Sequence, residues 1–359
     1  MRVLQAKACM NLFEKLGFSW DRAAVPSVIP THSIERAAFR FYRMMDQYVW
    51  DASVLEGNPL TFPEVKTLLD GVTVGGRKIS DQAQILNLAA SSKHLLALVK
   101  ANEFTLDKTV FAGLHNLVAP HEALEWGHFR GEGKETGYTP NVSLGTHGVY
   151  TPLPTVAGAH ELNRVFSDGI KVLLEAVPQP FEKATAFFLF GALQQFYFDG
   201  NKRTSRFMMN GILMSAGIDA ISVNAARAAE FNSKMVDFYL QKDATVMMDF
   251  LLDCHPDVTK IREAQSGICG EAGFLLLRTL EDDDLRNLGA LKNPSKALIT
   301  AAERQRRYDA SEFANANVAL EGFVRSKEAQ AHADRFINGE IDLEGYLAPS
   351  YEDIHDHRK

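Results

Sequence analysis

Apolar residues recur at three- and four-residue intervals through most of this chain, the spacing that predicts amphipathic helices. "SIERAAFRFYRMMDQYVWDASVLEG" reads as one long helix over about residues 33–57. It opens after Pro-Thr-His and stops at Glu56-Gly57-Asn58, a strong C-terminal signal. "TFPEVKTLL", "SDQAQILNLAASSKHLLALVKAN" and "TLDKTVFAGLHNLVA" are further helices. Thr, Ser or Asp near their starts can accept the first free N–H groups. Between Gly127 and Pro154 the texture changes to Gly, Thr and Pro, and the alternating "VSL" and "GVYT" predict a short hairpin at about 142–152. Helices resume near Ala159 and run through "FEKATAFFLFGALQQFYF", "KRTSRFMMNGILMSAG", "AARAAEFNSKMVDFYLQ" and "ATVMMDFLLDC". After His255-Pro256 a charged stretch, "LEDDDLRNLGALKNPSKA", marks a boundary before a small helical module. The expectation is a mainly α protein with one β-hairpin. It would have an N-terminal helical region (1–120), a core (121–256) and a C-terminal module (257–359).

Composition narrows the function classes. The chain has 359 residues, 46% of them hydrophobic, enough for at least one large core. A net charge of -7 and the lack of a basic stripe argue against a nucleic-acid partner. The longest apolar runs stop at about ten residues, short of a membrane span, so no membrane partner is expected. Cys9, Cys254 and Cys269 lie far apart, without metal-ligand spacing, and read as reduced thiols. The N-terminus lacks the marks of a signal peptide. These points together predict a cytoplasmic protein. Trp20, Trp50 and Trp126 sit at helical spacing and read as core, as does Tyr239, while His355 and His357 fall on a frayed terminus.

One stretch carries candidate chemistry. In "QQFYFDGNKRTSR" an apolar helix, expected to run from about Phe181 to about Phe198, breaks at Asp-Gly-Asn and restarts on cations near Lys202. Basic side chains in a first turn oppose the positive end of the helix dipole, which implies an anion to hold them there. Gly200 permits a tight turn, and the free N–H groups that follow form a phosphate-binding concavity. Arg203 and Arg206, three apart, project to one side. Asp199 at the mouth suits Mg²⁺.

"FDGNKRTSR" resembles the signature of Fic (Fido-domain) proteins, His-Pro-Phe-x-Asp/Glu-Gly-Asn-Gly/Lys-Arg-x-x-Arg, and the resemblance extends over about residues 30–255. It implies a Fic-type helical bundle with a hairpin flap, and transfer of AMP from ATP to a protein hydroxyl, on another protein or on itself. By resemblance, Asp199 holds Mg²⁺, and Gly200 and Asn201 contact the α-phosphate. Lys202 and Arg203 contact the phosphate chain, and Arg206 the γ-phosphate. The flap at about Val142–Thr151 aligns a target segment by strand addition.

The departure from the signature is chemical. Gln195 stands where the family has its catalytic His, and a primary amide cannot take a proton at neutral pH. A general base contributes about 10²–10⁴-fold, so weak transfer is expected. A non-catalytic nucleotide-binding regulator or interaction module is one alternative. A phosphotransferase is another, because Lys202 replaces the commoner Gly. A glutamine can also orient an attacking water, as in small GTPases.

"ASVLEGN" resembles the inhibitory motif Ser/Thr-x-x-x-Glu-Gly/Asn of self-inhibited relatives, with Ala52 in the first position and Ser53 beside it. The resemblance implies that Glu56 takes Arg206 in a bidentate pair and denies it to the γ-phosphate. A second candidate, Glu321 in "NVALEG", resembles that of small antitoxin modules. The target is not legible, and the oligomeric state stays open, a homodimer included.

Overall fold

The computed structural model describes residues 11–265, Arg304, Arg307, Tyr308 and Ser311, and residues 327–341. The chain divides into two compact units, Met1–Gly270 and Glu271–Lys359.

In the first unit, after a helical stretch at 11–16, the described helices include α1 (Ile34–Arg43), α2 (Met45–Val54), α3 (Phe62–Leu69), α4 (Ile79–Lys100), α5 (Lys108–Val118) and α6 (His160–Ala176). They are followed by α7 (Pro180–Gln194), α8 (Asn201–Ser215), α9 (Ala228–Gln241), α10 (Thr245–Asp253) and α11 (Val258–Gln265). A two-stranded antiparallel sheet, β1 (Val142–Ser143) and β2 (Val149–Tyr150), lies between α5 and α6. The mainly α architecture with one hairpin agrees with the hydrophobic pattern. Among the described residues no helix is long and apolar enough to cross a membrane.

The antiparallel pair α7–α8 forms the centre. α7 is buried at every position from Phe181 to Leu193 except Lys183, as befits a helix apolar all round. Close approach of the two helices depends on Gly191, where a Cβ would collide with Ser205 Oγ. α4 and α5 pack on α8, and α6 and α10 on α7. Phe111, Phe129, Phe166, Phe187, Phe196 and Tyr197 form an aromatic cluster beneath the turn that joins the central helices. Trp20 is buried and donates to Glu182 (2.8 Å), while Trp50 and Trp126 are half-buried at the edge of the core.

Two expected helices are corrected. The segment at 33–57 is not one helix: it breaks at Met44 (φ -104°, ψ 10°) into α1 and α2. Each half has its own polar anchor, Arg40 to Asp219 (2.7 Å) for α1 and Asp51 to Ser222 Oγ (2.9 Å) and Ala225 N (2.9 Å) for α2. The apolar helix that leads to the signature ends at Gln194, short of the expected Phe198, because Gln195 turns into the left-handed region (φ +50°).

In the second unit the helix Lys327–Ile337 is described, with Ala333, Phe336 and Ile337 buried. Glu321 lies outside the described residues.

Candidate active site

The turn between α7 and α8 is held by side chains that substitute for backbone partners. Asn201 accepts from Tyr197 N (2.9 Å) and donates to Tyr197 O (2.8 Å), closing the turn on itself. The amide of Gln195 donates to Ala192 O (2.6 Å) and accepts from Asn201 Nδ2 (3.0 Å), capping α7. Arg130, fully buried, donates to the Gln195 carbonyl (2.6 Å) and to Thr155 Oγ1 (2.8 Å). Gly200 takes φ +74°, and a Cβ there would press on Ala119. From below, His115 stacks on Tyr197 with ring centroids 3.6 Å apart. Its Nδ1 accepts from Gly127 N (3.0 Å), so Nε2 carries the proton and donates to Asp199 O (2.9 Å). Burial pushes His115 down to about 4, so the ring is neutral at pH 7.

α8 begins at this rigid turn. Its first backbone bond runs from Thr204 N to Gly200 O (2.9 Å), so the N–H groups of Asn201, Lys202 and Arg203 precede the helical ladder. The Asp199 carboxylate is 61% exposed at this end; its Oδ1 accepts from Gly200 N (2.6 Å) and lies 3.6 Å from Arg203. A single hard carboxylate open to solvent fits Mg²⁺, which keeps several waters and takes one or two protein ligands.

The three cations each face an acid. Arg203 is buried and donates to Glu122 (2.6 Å), a residue with no local signature in the sequence. Arg206 Nη2 reaches Glu56 Oε1 at 3.1 Å, and Lys202 Nζ lies 3.9 Å from Glu56 Oε2. The expected bidentate Arg–Glu pair is therefore corrected: Glu56 gives one oxygen to each of two cations. Burial opposes ionisation of Glu56, but the charges of Lys202, Arg206 and Arg203 outweigh it and hold the carboxyl below its ordinary range. Ser53 does not join this contact; its hydroxyl donates to Trp50 O (2.7 Å) within α2. Among the described residues Arg206 Nη1 and Arg203 Nε have no hydrogen-bond partner.

The sheet β1–β2 has the register Val142↔Tyr150 and Ser143↔Val149, closed by Leu144 N to Gly148 O (2.8 Å). Tyr150 packs on Tyr239 of α9, with centroids 5.1 Å apart. Tyr239, expected to be core, is indeed buried, yet its hydroxyl donates to Ala192 O (2.8 Å) and lies 3.5 Å from Gln195 Nε2. His115, Glu122, Arg130 and Tyr150 all escaped the sequence reading. They come from other helices and loops, and no spacing links them to the signature.

No protein-family model matches the chain. Among curated proteins, 251 residues are 28% identical to the protein adenylyltransferase Fic of Aedes aegypti, covering 67% of this chain and 46% of the relative. Over 237 residues it is 25% identical to the protein adenylyltransferase Fic of Drosophila willistoni, covering 65% and 44%. The chain thus spans less than half the length of these relatives. Among solved structures, a Fic family protein from Desulfovibrio desulfuricans G20 superposes with a TM-score of 0.51 at 18% identity, covering 80% of this chain and 85% of that one. A Fic domain-containing signaling protein from Bacteroides thetaiotaomicron gives 0.50 at 15% identity, covering 72% and 97%. The structural likeness extends to the fold.

Proposed function

The chain is a Fic (Fido-domain) protein, and from that premise we propose that it binds ATP with Mg²⁺ at the N-terminus of α8 and transfers AMP slowly to a protein hydroxyl, restrained by Glu56. The observation that carries this reading is the convergence of Asp199, Lys202, Arg203 and Arg206 on one helix N-terminus, with Glu56 seated on two of the cations. The curated relatives, named protein adenylyltransferases, support the reaction type.

In this reading Asp199 holds Mg²⁺, which when bound neutralises phosphate charge. Lys202 and Arg203 take the phosphate chain, Gly200 and the N–H groups at the start of α8 take the α-phosphate, and Arg206 takes the γ-phosphate. Asn201 acts by fixing the turn rather than by touching phosphate, since both of its amide atoms are engaged with Tyr197 and Gln195. The target hydroxyl oxygen bonds to the α-phosphorus and gives its proton to solvent water, the bond from that phosphorus to the bridging oxygen breaks, and pyrophosphate leaves. Glu56 on Arg206 keeps the γ-phosphate out of its seat. Positioning and charge dominate such chemistry, so loss of the usual His slows it without removing the site.

A second reading, a nucleotide-binding regulator without transfer, is favoured by one observation: the Gln195 amide is committed to capping α7. One experiment separates the two. Full-length Glu56→Gly protein, with and without Gln195→His, is incubated with Mg²⁺ and ATP labelled at either the α- or the γ-phosphate. Slow incorporation of the α label, raised about 10²–10⁴-fold by Gln195→His, is expected. Incorporation of the γ label instead would replace adenylyl transfer by phosphotransfer. ATP binding with no incorporation by either protein would leave the regulator.

A further inference from the structure

At the end of α8 opposite the phosphate site, three segments distant in sequence bring metal-ligating side chains together. His32 precedes α1, Asp219 follows α8, and Asp257 lies between α10 and α11. A ring nitrogen of His32 and one carboxylate oxygen from each aspartate lie within 4.8 Å of one another. The side chains of His32, Asp219 and Asp257 are 18%, 1% and 11% exposed. α8 has 15 residues, so at 1.5 Å per residue the cluster stands about 20 Å along the helix from Asp199. The backbone fixes all three. His32 N donates to Gly217 O (2.7 Å), and Gly217, at φ +72°, lies so close to the His32 carbonyl that a Cβ would collide with it. Asp257 N donates to His255 Nδ1 (3.0 Å), and Asp257 O accepts from Ile261 N (3.1 Å) in the first turn of α11. Each carboxylate gives one oxygen to a cation on its outer side: Arg40 donates to Asp219 Oδ2 (2.7 Å), and Lys260 to Asp257 Oδ1 (3.0 Å). Among the described residues Asp219 Oδ1 and His32 Nε2, both shielded from solvent, have no hydrogen-bond partner. His32 Nε2 stands 3.7 Å from Asp257 Oδ2.

We propose that His32, Asp219 and Asp257 form a binding site for one divalent transition-metal ion of the zinc type. One imidazole and two carboxylates are a donor set for such an ion, with water in the fourth position. Neighbouring ligands of a tetrahedral zinc ion stand about 3.4 Å apart, close to the His32–Asp257 separation. The widest gap in the cluster closes when the side-chain tips move inward by about 1 Å. The C-terminal end of α8 carries the negative pole of the helix dipole, which favours a cation beside Asp219. Arg40 and Lys260 orient the two carboxylates, as outer partners of ligating groups do. Mg²⁺ and Ca²⁺ take oxygen sets, so the imidazole selects against them. One contact must change on binding. Arg36 Nη1 donates to His32 Nδ1 (2.8 Å), which places the ring proton on Nε2. The ion takes Nε2, the proton moves to Nδ1, and Arg36, an exposed side chain, turns to water. His255 is outside the ligand set, because its Nδ1 already accepts from Asp257 N and its proton is on Nε2. The bound ion ties the entry to α1 to the end of α8 and the start of α11.

The test uses the full-length chain, stripped with a chelator, and Zn²⁺ as the probe. Calorimetric titration is expected to show one equivalent bound, which excess Mg²⁺ leaves in place. Tm should rise by about 5 °C or more at a hundredfold excess of free Zn²⁺ over Kd. His32→Gln and Asp257→Asn should each weaken binding at least tenfold and abolish that rise. Arg36→Met, which removes the competing donor, should bind at least as tightly as the parent. The double change His355→Ala and His357→Ala should keep the full equivalent, which separates the site from the terminal histidines. The parent's stoichiometry and the Arg36→Met affinity involve no ligand loss, so they decide the matter even if a ligand variant fails to fold. Parent-like affinity in His32→Gln or Asp257→Asn overturns the proposal, as does weaker binding by Arg36→Met. Loss of the equivalent in the terminal-histidine variant, or its displacement by Mg²⁺, overturns it too. A parent that binds no stoichiometric Zn²⁺ also overturns it, and assigns the cluster to one buried water shared by the three side chains.

Discussion

Replacing Glu56 by Gln should move apo stability and nucleotide affinity in opposite directions. The carboxylate faces Arg206 at 3.1 Å and Lys202 at 3.9 Å, with the Glu56 and Arg206 side chains only 16% and 10% exposed. If Arg206 seats the γ-phosphate as proposed, this contact must open first. A hydrogen bond to a charged group is worth about 1.5–3 kcal/mol, and about 1.4 kcal/mol is a factor of ten. ATP, no longer competing with that bond, should bind about tenfold to a hundredfold more tightly to Glu56→Gln. The same change leaves two or three cations facing one another. Removing one partner of a buried pair costs about 3–5 kcal/mol, and the partial exposure here places it at the lower end, about 3 kcal/mol. At about 2–4 °C per kcal/mol for a chain of this size, the apo Tm should fall by about 6–12 °C and recover as ATP binds and supplies the missing charge. Calorimetric titration with Mg–ATP gives the affinity, and thermal unfolding with and without nucleotide gives the other two quantities. An unchanged Kd with an unchanged apo Tm would mean that the contact is energetically idle. A lower Tm with weaker ATP binding would mean that Glu56 organises the phosphate site instead of blocking it.

Further predictions concern the anion seat, acid stability and helix packing. Arg203→Ala should weaken Mg–ATP binding at least tenfold, whereas Arg164→Ala, at an exposed ion pair on α6, should not; equal affinities would remove the phosphate site. His115 and His255 are buried, and burial pushes each to about 4 from 6.5. The unfolded chain gains their protons first as pH falls, so stability is full above about pH 6.5. It then declines towards about pH 4 by up to about 1.4 kcal/mol per pH unit for each ring. Urea midpoints that stay level between pH 7 and 4.5 would contradict it. Gly191→Ala should cost about 1–3 kcal/mol, because its Cβ would collide with Ser205 Oγ in the α7–α8 contact; an unchanged denaturation midpoint would show that the two helices can separate freely.

The local part of this protein was legible in the sequence because it rests on local physics. Apolar spacing placed most of the helices, and alternation in a Gly/Pro-rich stretch placed the hairpin at about 142–152, where the strands run from Val142 to Tyr150. The Asp-Gly-Asn break located the start of α8, since a glycine turn and a cationic first turn are short-range signals. Glu56 at a helix stop could be singled out through its motif. What the sequence could not carry was how charges meet across the fold. Arg203 turned out to face Glu122, eighty-one positions earlier, and Glu56 divided its oxygens between Lys202 and Arg206. Ser53, adjacent in sequence, turned inward to its own helix. The break at Met44 has no Gly or Pro to announce it, and each flanking helix is anchored separately on residues 219–225. Gln195 read as a lost base, but only the folded chain shows its amide capping α7. Hydrogen-bond partners and desolvation are properties of the packed neighbourhood, and residues far apart in the chain create that neighbourhood only when it folds.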